Sequence, residues 1–258
     1  MRLKKLTLVW SLSLCWTQLM TVNSVKAEKL KYNIYYQWGI VWKMAAEATL
    51  TTHESTFKSQ KAISLQMAAK TTPFFDHFQR VRDTLVAITS PDVQPLYYAK
   101  ITHEGDYFLK EDATYSYSGA KTYIKVRGFK RTRMVSDSTL TYPKANTVYD
   151  MLSIFHYLRN ADMSKMKVNQ PVPLVIVSGN EFFNIKVIYN GEMTIKTPNN
   201  INYNTQKMSI IFEYLKNNKI EKEVMEFWMS KDTRHIPIMF SVKLPLGSMK
   251  AYFDGVDE

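Results

Sequence analysis

The stretch LKYNIYYQWGIVWKMAAEATL, residues 30–50, is apolar at every even position: Leu30, Tyr32, Ile34, Tyr36, Trp38, Ile40, Trp42, Met44, Ala46, Ala48 and Leu50. A period of two puts these side chains on one face of a pleated strand, because successive Cβ atoms point to opposite sides. Drawn straight at about 3.3 Å per residue, the segment would reach roughly 70 Å, too long for a compact domain of this size. It must bend or turn, and Gly39 is the natural place. A two-residue hairpin loop would switch the buried parity, since residues i and i+3 then oppose each other. The unbroken parity therefore favours a bulged, coiled strand or an odd-length loop.

The C-terminal half repeats the alternation. Phe183, Ile185, Val187 and Tyr189 lead to Asn190-Gly191, and Met193 and Ile195 follow; Asn-Gly between alternating runs signals a two-residue hairpin. Further strands are expected at Met208 to Tyr214, Met225 to Met229, Ile236 to Val242 and Met249 to Phe253, with turns at Lys216 to Lys219 and Ser230 to Arg234. Only one segment has a clear helical period. Val148, Met151, Leu152, Phe155 and Leu158 follow i, i+3, i+4, i+7 spacing from Thr147 to Asn160, and Thr147 with Asp150 imitates a capping box. Phe155 is expected to be buried where this stripe plugs the concave face of the sheet. Phe74 to Leu85 reads equally as a short helix or as a loop into a strand. The fold class expected is mostly β: a curved antiparallel sheet or open barrel of ten or more strands around one amphipathic helix.

Composition limits the chemistry. In 258 residues, 45% hydrophobic and 13% aromatic content supplies a core. The eight glycines form no phosphate-binding loop. Residues 1–27 read as a cleaved signal peptide: a basic start at Arg2, Lys4 and Lys5, an apolar run from Leu6 to Met20, and Val25-Lys26-Ala27 as the cleavage site. Polar residues interrupt that run, which argues against a membrane anchor. Leu14 stands before Cys15, where lipoprotein processing wants a small residue. Cleavage removes four basic residues and the single cysteine, leaving 30 Lys and Arg against 23 Asp and Glu, or +7, in one exported domain over residues 28–258 with no later transmembrane span. Thiol chemistry, disulfides and cysteine zinc sites then drop out. The histidines at 53, 77, 103, 156 and 235 lack zinc-protease spacing, and no nucleophile elbow is present. No catalytic residue, metal or cofactor is therefore assigned. Ser153, His156 and Asn160 share a helical face, read as a half-buried polar edge.

Lys121 to Arg133 holds six cations and no acid. On a strand, Lys121, Lys125, Arg127, Arg131 and Arg133 would share a face able to meet phosphates or sulfates of envelope glycolipid. The plainer reading, which is preferred, is a solvated outer face backed by Ile124, Val126 and Met134. Nucleic acid is not an expected partner, because no aromatic stacking module accompanies the charge. Asp150 and Arg159 lie nine residues apart, about 13.5 Å along a helix at ~1.5 Å per residue. They cannot pair directly, and Arg82, Asp83 and Glu104 are the partners to look for.

Tyr36-x-Trp38-Gly39, Ala46-Glu47-Ala48, Arg82-Asp83-Thr84-Leu85, Pro95-Leu96 with Lys100 and Glu104-Gly105, Tyr149-Asp150-x-Leu152-Ser153 with Tyr157 and Arg159, Trp228-x-Ser230-x-Asp232 with Pro237, and Gly247-Ser248 stand in order along the chain. In this set the sequence resembles the exported bacterial family called domain of unknown function 3108. It departs at Ala46, where a glycine is expected, so a difference is expected at the first bend. The resemblance implies a Gram-negative periplasm or outer envelope, no established activity, and an architecture similar to periplasmic lipoprotein carriers. The function expected is non-catalytic binding or carriage of an apolar or amphipathic envelope component, with lipid, glycolipid or another envelope protein as partner. Trp38, Trp42, Arg82, Asp83, Glu104, Asp150 and Arg159 are the candidate ligand residues. The alternatives are an envelope hydrolase or lyase using Asp83, Asp150 or Asp232 as acid or base, and a structural partner in an envelope assembly.

Overall fold

In the computed structural model, which describes residues 27–144, 148–216 and 219–257, the opening alternation becomes a hairpin. Strands β1 (Glu28–Trp38) and β2 (Val41–Phe57) join through the two-residue turn Gly39–Ile40, with Trp38 opposite Val41. This corrects the expected odd-length loop. Gly39 takes the positive φ, 55°, that a II′ hairpin turn asks of its first residue. The parity is restored further down, where Tyr35 faces Met44 but Ile34 faces Ala46, leaving Ala45 as an extra, bulged residue. Below the bulge, Leu30 pairs with Leu50 and Tyr32 with Ala48, all buried. Above it, Trp38, Ile40 and Trp42 are exposed.

The chain continues through β3 (Gln60–Thr71), α1 (Pro73–Asp76), β4 (Arg82–Thr89), β5 (Pro95–Glu104), β6 (Tyr107–Ser118), β7 (Lys121–Lys130), β8 (Arg133–Tyr142), β9 (Val148–Tyr149), α2 (Ser153–Asn160), β10 (Pro171–Ser178), β11 (Glu181–Lys196), β12 (Asn202–Lys216), β13 (Lys219–Ser230), β14 (Pro237–Lys243) and β15 (Ser248–Val256). The described strands make one fifteen-stranded sheet, ordered β8-β7-β6-β5-β4-β3-β2-β1-β15-β14-β13-β12-β11-β10-β9. Every pairing is antiparallel except the two-residue β9 on β10. The first and last strands meet in the middle, and the sheet curls into a nearly closed, barrel-like shape. The Ser138 hydroxyl donates to Asn180, and the Tyr142 and Phe182 rings stand 5.2 Å apart, so edge strand β8 is tied to the β10–β11 hairpin.

Several elements differ from the sequence reading. The helix begins at Ser153, because Val148 and Tyr149 pair with Val175 and Ile176 as strand β9; Thr147 and residues 1–26 of the expected signal peptide 1–27 lie outside the described residues. The buried residues of α2 are Ser153, Ile154, His156 and Leu158, so Ser153 and His156 of its polar edge are inside while Asn160 is exposed, and Phe155 is only half-buried. Asn190-Gly191 makes no turn: β11 runs through it, and Asn190 bulges out between the Tyr189–Met208 and Gly191–Lys207 pairs. The Ser209 hydroxyl donates to the bulged Asn190 side chain. Phe74 to Leu85 is both things at once, the short α1 and a loop into β4. The basic stretch is a strand, a turn and the start of the next strand, with Arg131 at φ 55° in the turn and Met134 exposed.

The core is two clusters. One gathers Leu30, Tyr32, Leu50, Leu65, Tyr115, Ile124 and Val126 with Leu152, Val177 and Trp228. The other packs Ile154 and Leu158 against Ile176, Val187, Met208, Ile210 and Phe227. Phe155 adds edge-to-face contacts with Phe227 (5.5 Å) and Phe240 (5.2 Å).

Candidate functional site

The two ends of β1 lead to different environments. Eleven residues separate them by about 30 Å at ~3.3 Å per residue. At the Glu28 end, Arg159 of α2 forms an ion pair with Glu28 and donates to the Arg234 carbonyl, while His235 Nδ1 donates to the Arg159 carbonyl. His156 shares a 3.1 Å hydrogen bond with Thr89, at the matching end of β4. Asp150, completely buried, holds the β9–α2 turn: the Leu152 and Ser153 N–H groups donate to Oδ1 (2.9 and 2.8 Å), and the Ser153 hydroxyl donates to Oδ2 (2.8 Å). The Tyr115 hydroxyl approaches at 3.5 Å. Burial pushes the Asp150 carboxyl up to about 6, against the hydrogen bonds from Ser153 and Leu152 that pull it down. Burial also lowers His156 to about 4. These groups are anchors of a turn and a helix, with Asp150 and His156 closed from solvent.

At the Trp38 end, three connections come together. The β1–β2 turn exposes Trp38 (58%), Ile40 (fully), Val41 and Trp42; α1 and the loop after it expose Phe74 and Phe78 (74%); the β14–β15 turn exposes Leu246 (67%). All seven stand at this one end of the sheet. Thr72 N–H donates to the Ala45 carbonyl, bringing α1 against β2, and Lys43 Nζ lies 3.2 Å from the centroid of Phe74. Tyr36 donates to the Leu246 carbonyl at 2.7 Å. Gly247, at φ 89°, lies so close to β1 that a Cβ there would meet the Gln37 carbonyl at 2.0 Å. Tyr35 stacks on Trp42 at 5.0 Å, and Lys250 Nζ stands 5.8 Å from the Trp42 ring. We call this exposed end the rim.

The seven candidate ligand residues do not all meet. Trp38 and Trp42 stand on the rim. Arg82, Asp83 and Glu104 lie near the same end and are locally engaged: Arg82 bridges to Asp76, Asp83 accepts from the His103 N–H, and Glu104 accepts from Gln79. Asp150 and Arg159 belong to the other end, and the partners looked for among Arg82, Asp83 and Glu104 are replaced by the α2 turn and Glu28. Asp232 is tied to the Ser230 hydroxyl and to Arg234. Asp83, Asp150 and Asp232 thus sit on three separate elements, each in local structure. In the basic stretch, Arg127 pairs with buried Asp112 and Lys125 with Asp137, while Lys121, Arg131 and Arg133 are exposed. Among the described residues no three His, Cys, Asp or Glu gather as a metal ion would require. A concavity of about 700 Å³ over β1–β4 and β15 is lined by Lys31, Glu47, Lys70 and Asp257, whose charges pair within it.

Sequence reasoning missed Ile40, Val41, Phe74, Phe78 and Leu246 as surface residues. The doublet Phe74-Phe75 after Pro73 was the available signal, since aromatic residues in a segment with no strand period have no assured core to enter.

The fold is that of a β-barrel-like protein made from a single curled sheet. It is similar to a crystal structure of a β-barrel-like protein of domain of unknown function DUF1849 from Brucella abortus, at 9% identity and TM-score 0.58, covering 91% of this chain and 98% of that one. A putative exported protein with a YmcC-like fold from Bacteroides fragilis aligns at 8% identity over 91% of this chain and 97% of its own, with a TM-score of 0.39, too slight to bear on the fold. No curated protein matches. The chain belongs to the family DUF3108, proteins of unknown function, whose model matches residues 31–254.

Proposed function

We propose that this chain is a non-catalytic protein of the Gram-negative cell envelope, exported by residues 1–27, that binds an apolar or amphipathic envelope component at the rim. The observation that carries the reading is the rim itself: seven large apolar side chains exposed together on three connections at one end of the sheet. Clustered exposed apolar surface marks interaction sites in soluble domains. The core clusters fill the sheet with side chains from Leu30 to Phe253, which favours binding at the rim over carriage in a lumen. In this reading α2 is the plug of the barrel, held by Asp150 and Arg159, and Trp38 and Trp42 are the ligand contacts. The local engagement of Asp83, Asp150 and Asp232 supports a non-catalytic role, since an acid–base pair has to converge on one substrate. No helix among the described residues is long and apolar enough to cross a membrane.

The test is native mass spectrometry and lipid extraction of the protein purified from envelope extract. A co-purifying amphiphile that is reduced in a Trp38→Ser variant supports the reading. Finding no such molecule in the parent protein, or an equal amount in the variant, overturns it.

A further inference from the structure

The rim has a second property besides exposure: its rings are interleaved with cations. Lys43 lies over Phe74 and Lys250 beside Trp42, within the range of cation–π attraction. Lys243, at the end of β14, and Arg80, in the loop after α1, are exposed beside them. The acid of α1, Asp76, is already held by Arg82 and Thr71. Asp106, on the β5–β6 turn, is the exposed acid of the neighbouring connection. Positive charge therefore predominates around the apolar tips, in a chain that keeps a formal net charge of +7 without residues 1–27.

We propose that the rim is a peripheral docking surface for an anionic lipid bilayer, with the barrel standing on the membrane by its β1–β2, β3–β4 and β14–β15 connections. This rests on the reading above and deepens it, by naming the assembled bilayer as the amphipathic component. Trp with Lys is the pairing that suits a water–lipid interface: the indole body enters the headgroup layer and the ammonium stays with lipid phosphates. Apolar tips supply the burial and the cations supply attraction to anionic lipid. The outward side chains of β1 to β3 include Lys29, Lys31, Glu47 and Lys70, so the barrel wall from mid-strand to the closed end is charged. That arrangement places the lipid contact at the end of the sheet and not around its girth.

Cosedimentation with vesicles tests this. The probes are vesicles of equal parts phosphatidylglycerol and phosphatidylcholine, and vesicles of phosphatidylcholine alone. The parent protein is expected to partition more strongly onto the anionic vesicles. Ile40→Ser and Leu246→Ser, at exposed turn positions that thermal melts can verify as folded, should each weaken partitioning about tenfold or more. Lys43→Gln or Lys243→Gln should weaken it about fivefold at 0.1 M salt and have little effect near 1 M, where the Debye length shrinks to about 3 Å. Ile201→Ser, at an exposed site on the β11–β12 connection of the opposite end, should change nothing. Equal binding by the parent and the Ile40 and Leu246 variants overturns the proposal, as does a self-association of the parent that Ile40→Ser abolishes without any vesicle binding. If vesicles are not bound but a single lipid still co-purifies, the bilayer proposal falls and the functional reading stands. If neither occurs, both fall.

Discussion

At the α2 end of the sheet Ile154, Leu158 and Phe227 are closed from solvent, while about 30 Å away Trp38, Ile40, Phe78 and Leu246 stand in it. The two ends draw on the same residue types, aliphatic and aromatic. Their polar groups differ in the opposite sense: the closed end buries Asp150 and His156, and the open end sets lysines against exposed rings. The difference teaches that alternation assigns a side chain to a face, whereas a second layer decides whether that face is covered. Leu30 and Trp38 have the same parity within a single strand, yet only Leu30 has such a layer above it.

The largest expected effect contrasts the ends directly. Leu158→Ala should lower stability by about 2–5 kcal/mol, the usual cost of opening a cavity in a packed site, whereas Ile40→Ser should stay within about 0.5 kcal/mol. Urea melts of both variants measure this, and comparable losses would mean that the rim is packed.

Next comes the pH response of the closed end. The Asp150 carboxyl, held up to about 6 by burial, binds its proton more tightly in the folded protein than in the unfolded chain, so its contribution to stability falls as pH rises from about 4 to 6. His156, lowered to about 4 by burial, resists a proton that the unfolded chain accepts below about 6.5, so its contribution falls as pH drops through that range. The slopes oppose and largely cancel, each being on the order of 2–3 kcal/mol. Asp150→Asn should expose a stability that rises with pH between about 4 and 6.5, and His156→Gln one that falls. Melts at stepped pH check this, and slopes of the same sign in both variants would contradict the burial of one group.

A smaller effect is expected at Phe155. A fully buried phenylalanine costs about 3–5 kcal/mol on truncation; Phe155 is half-buried between Phe227 and Phe240, so about 2 kcal/mol is expected. Lys125→Ala, which loses an exposed pair with Asp137, should cost less than about 1 kcal/mol. Equal melting temperatures for these two variants would place α2 outside the core.

Much of the fold was legible in the sequence. Period two gave β14 and β15 close to their observed bounds and the C-terminal parts of β12 and β13, which begin six residues earlier than expected, because a strand with one covered face has to alternate. A bulge in the opening segment was one of the two readings its unbroken parity favoured, but its place at Ala45 and the bulge at Asn190 were not legible, since a single extra residue leaves local composition unchanged and shows only in the register with its partner strand. The start of α2 was misplaced because Val148 and Tyr149 satisfy a helical spacing and a strand equally well, and the parallel pairing with β10 decides between them. At the candidate site, Trp38 and Trp42 were read on one face, whereas the register, with Trp38 opposite Val41 and Trp42 opposite Gln37, sets them on opposite faces of the hairpin. Phe74, Phe78 and Leu246 come from segments up to about 170 residues apart that only the β1–β15 and β2–β3 pairings bring together.

The contrast between the ends is tested most directly by fluorescence quenching with acrylamide. The chain has five tryptophans, and variants that keep one each, at Trp38 or at Trp228, report the two environments separately. Trp228 is 5% exposed, with its indole N–H against the Met193 sulfur, and Trp38 is open. Trp38 should emit as a solvated indole and be quenched steeply, while Trp228 should emit further to the blue and resist the quencher. A shielded Trp38, or a Trp228 quenched as readily as Trp38, would contradict the account.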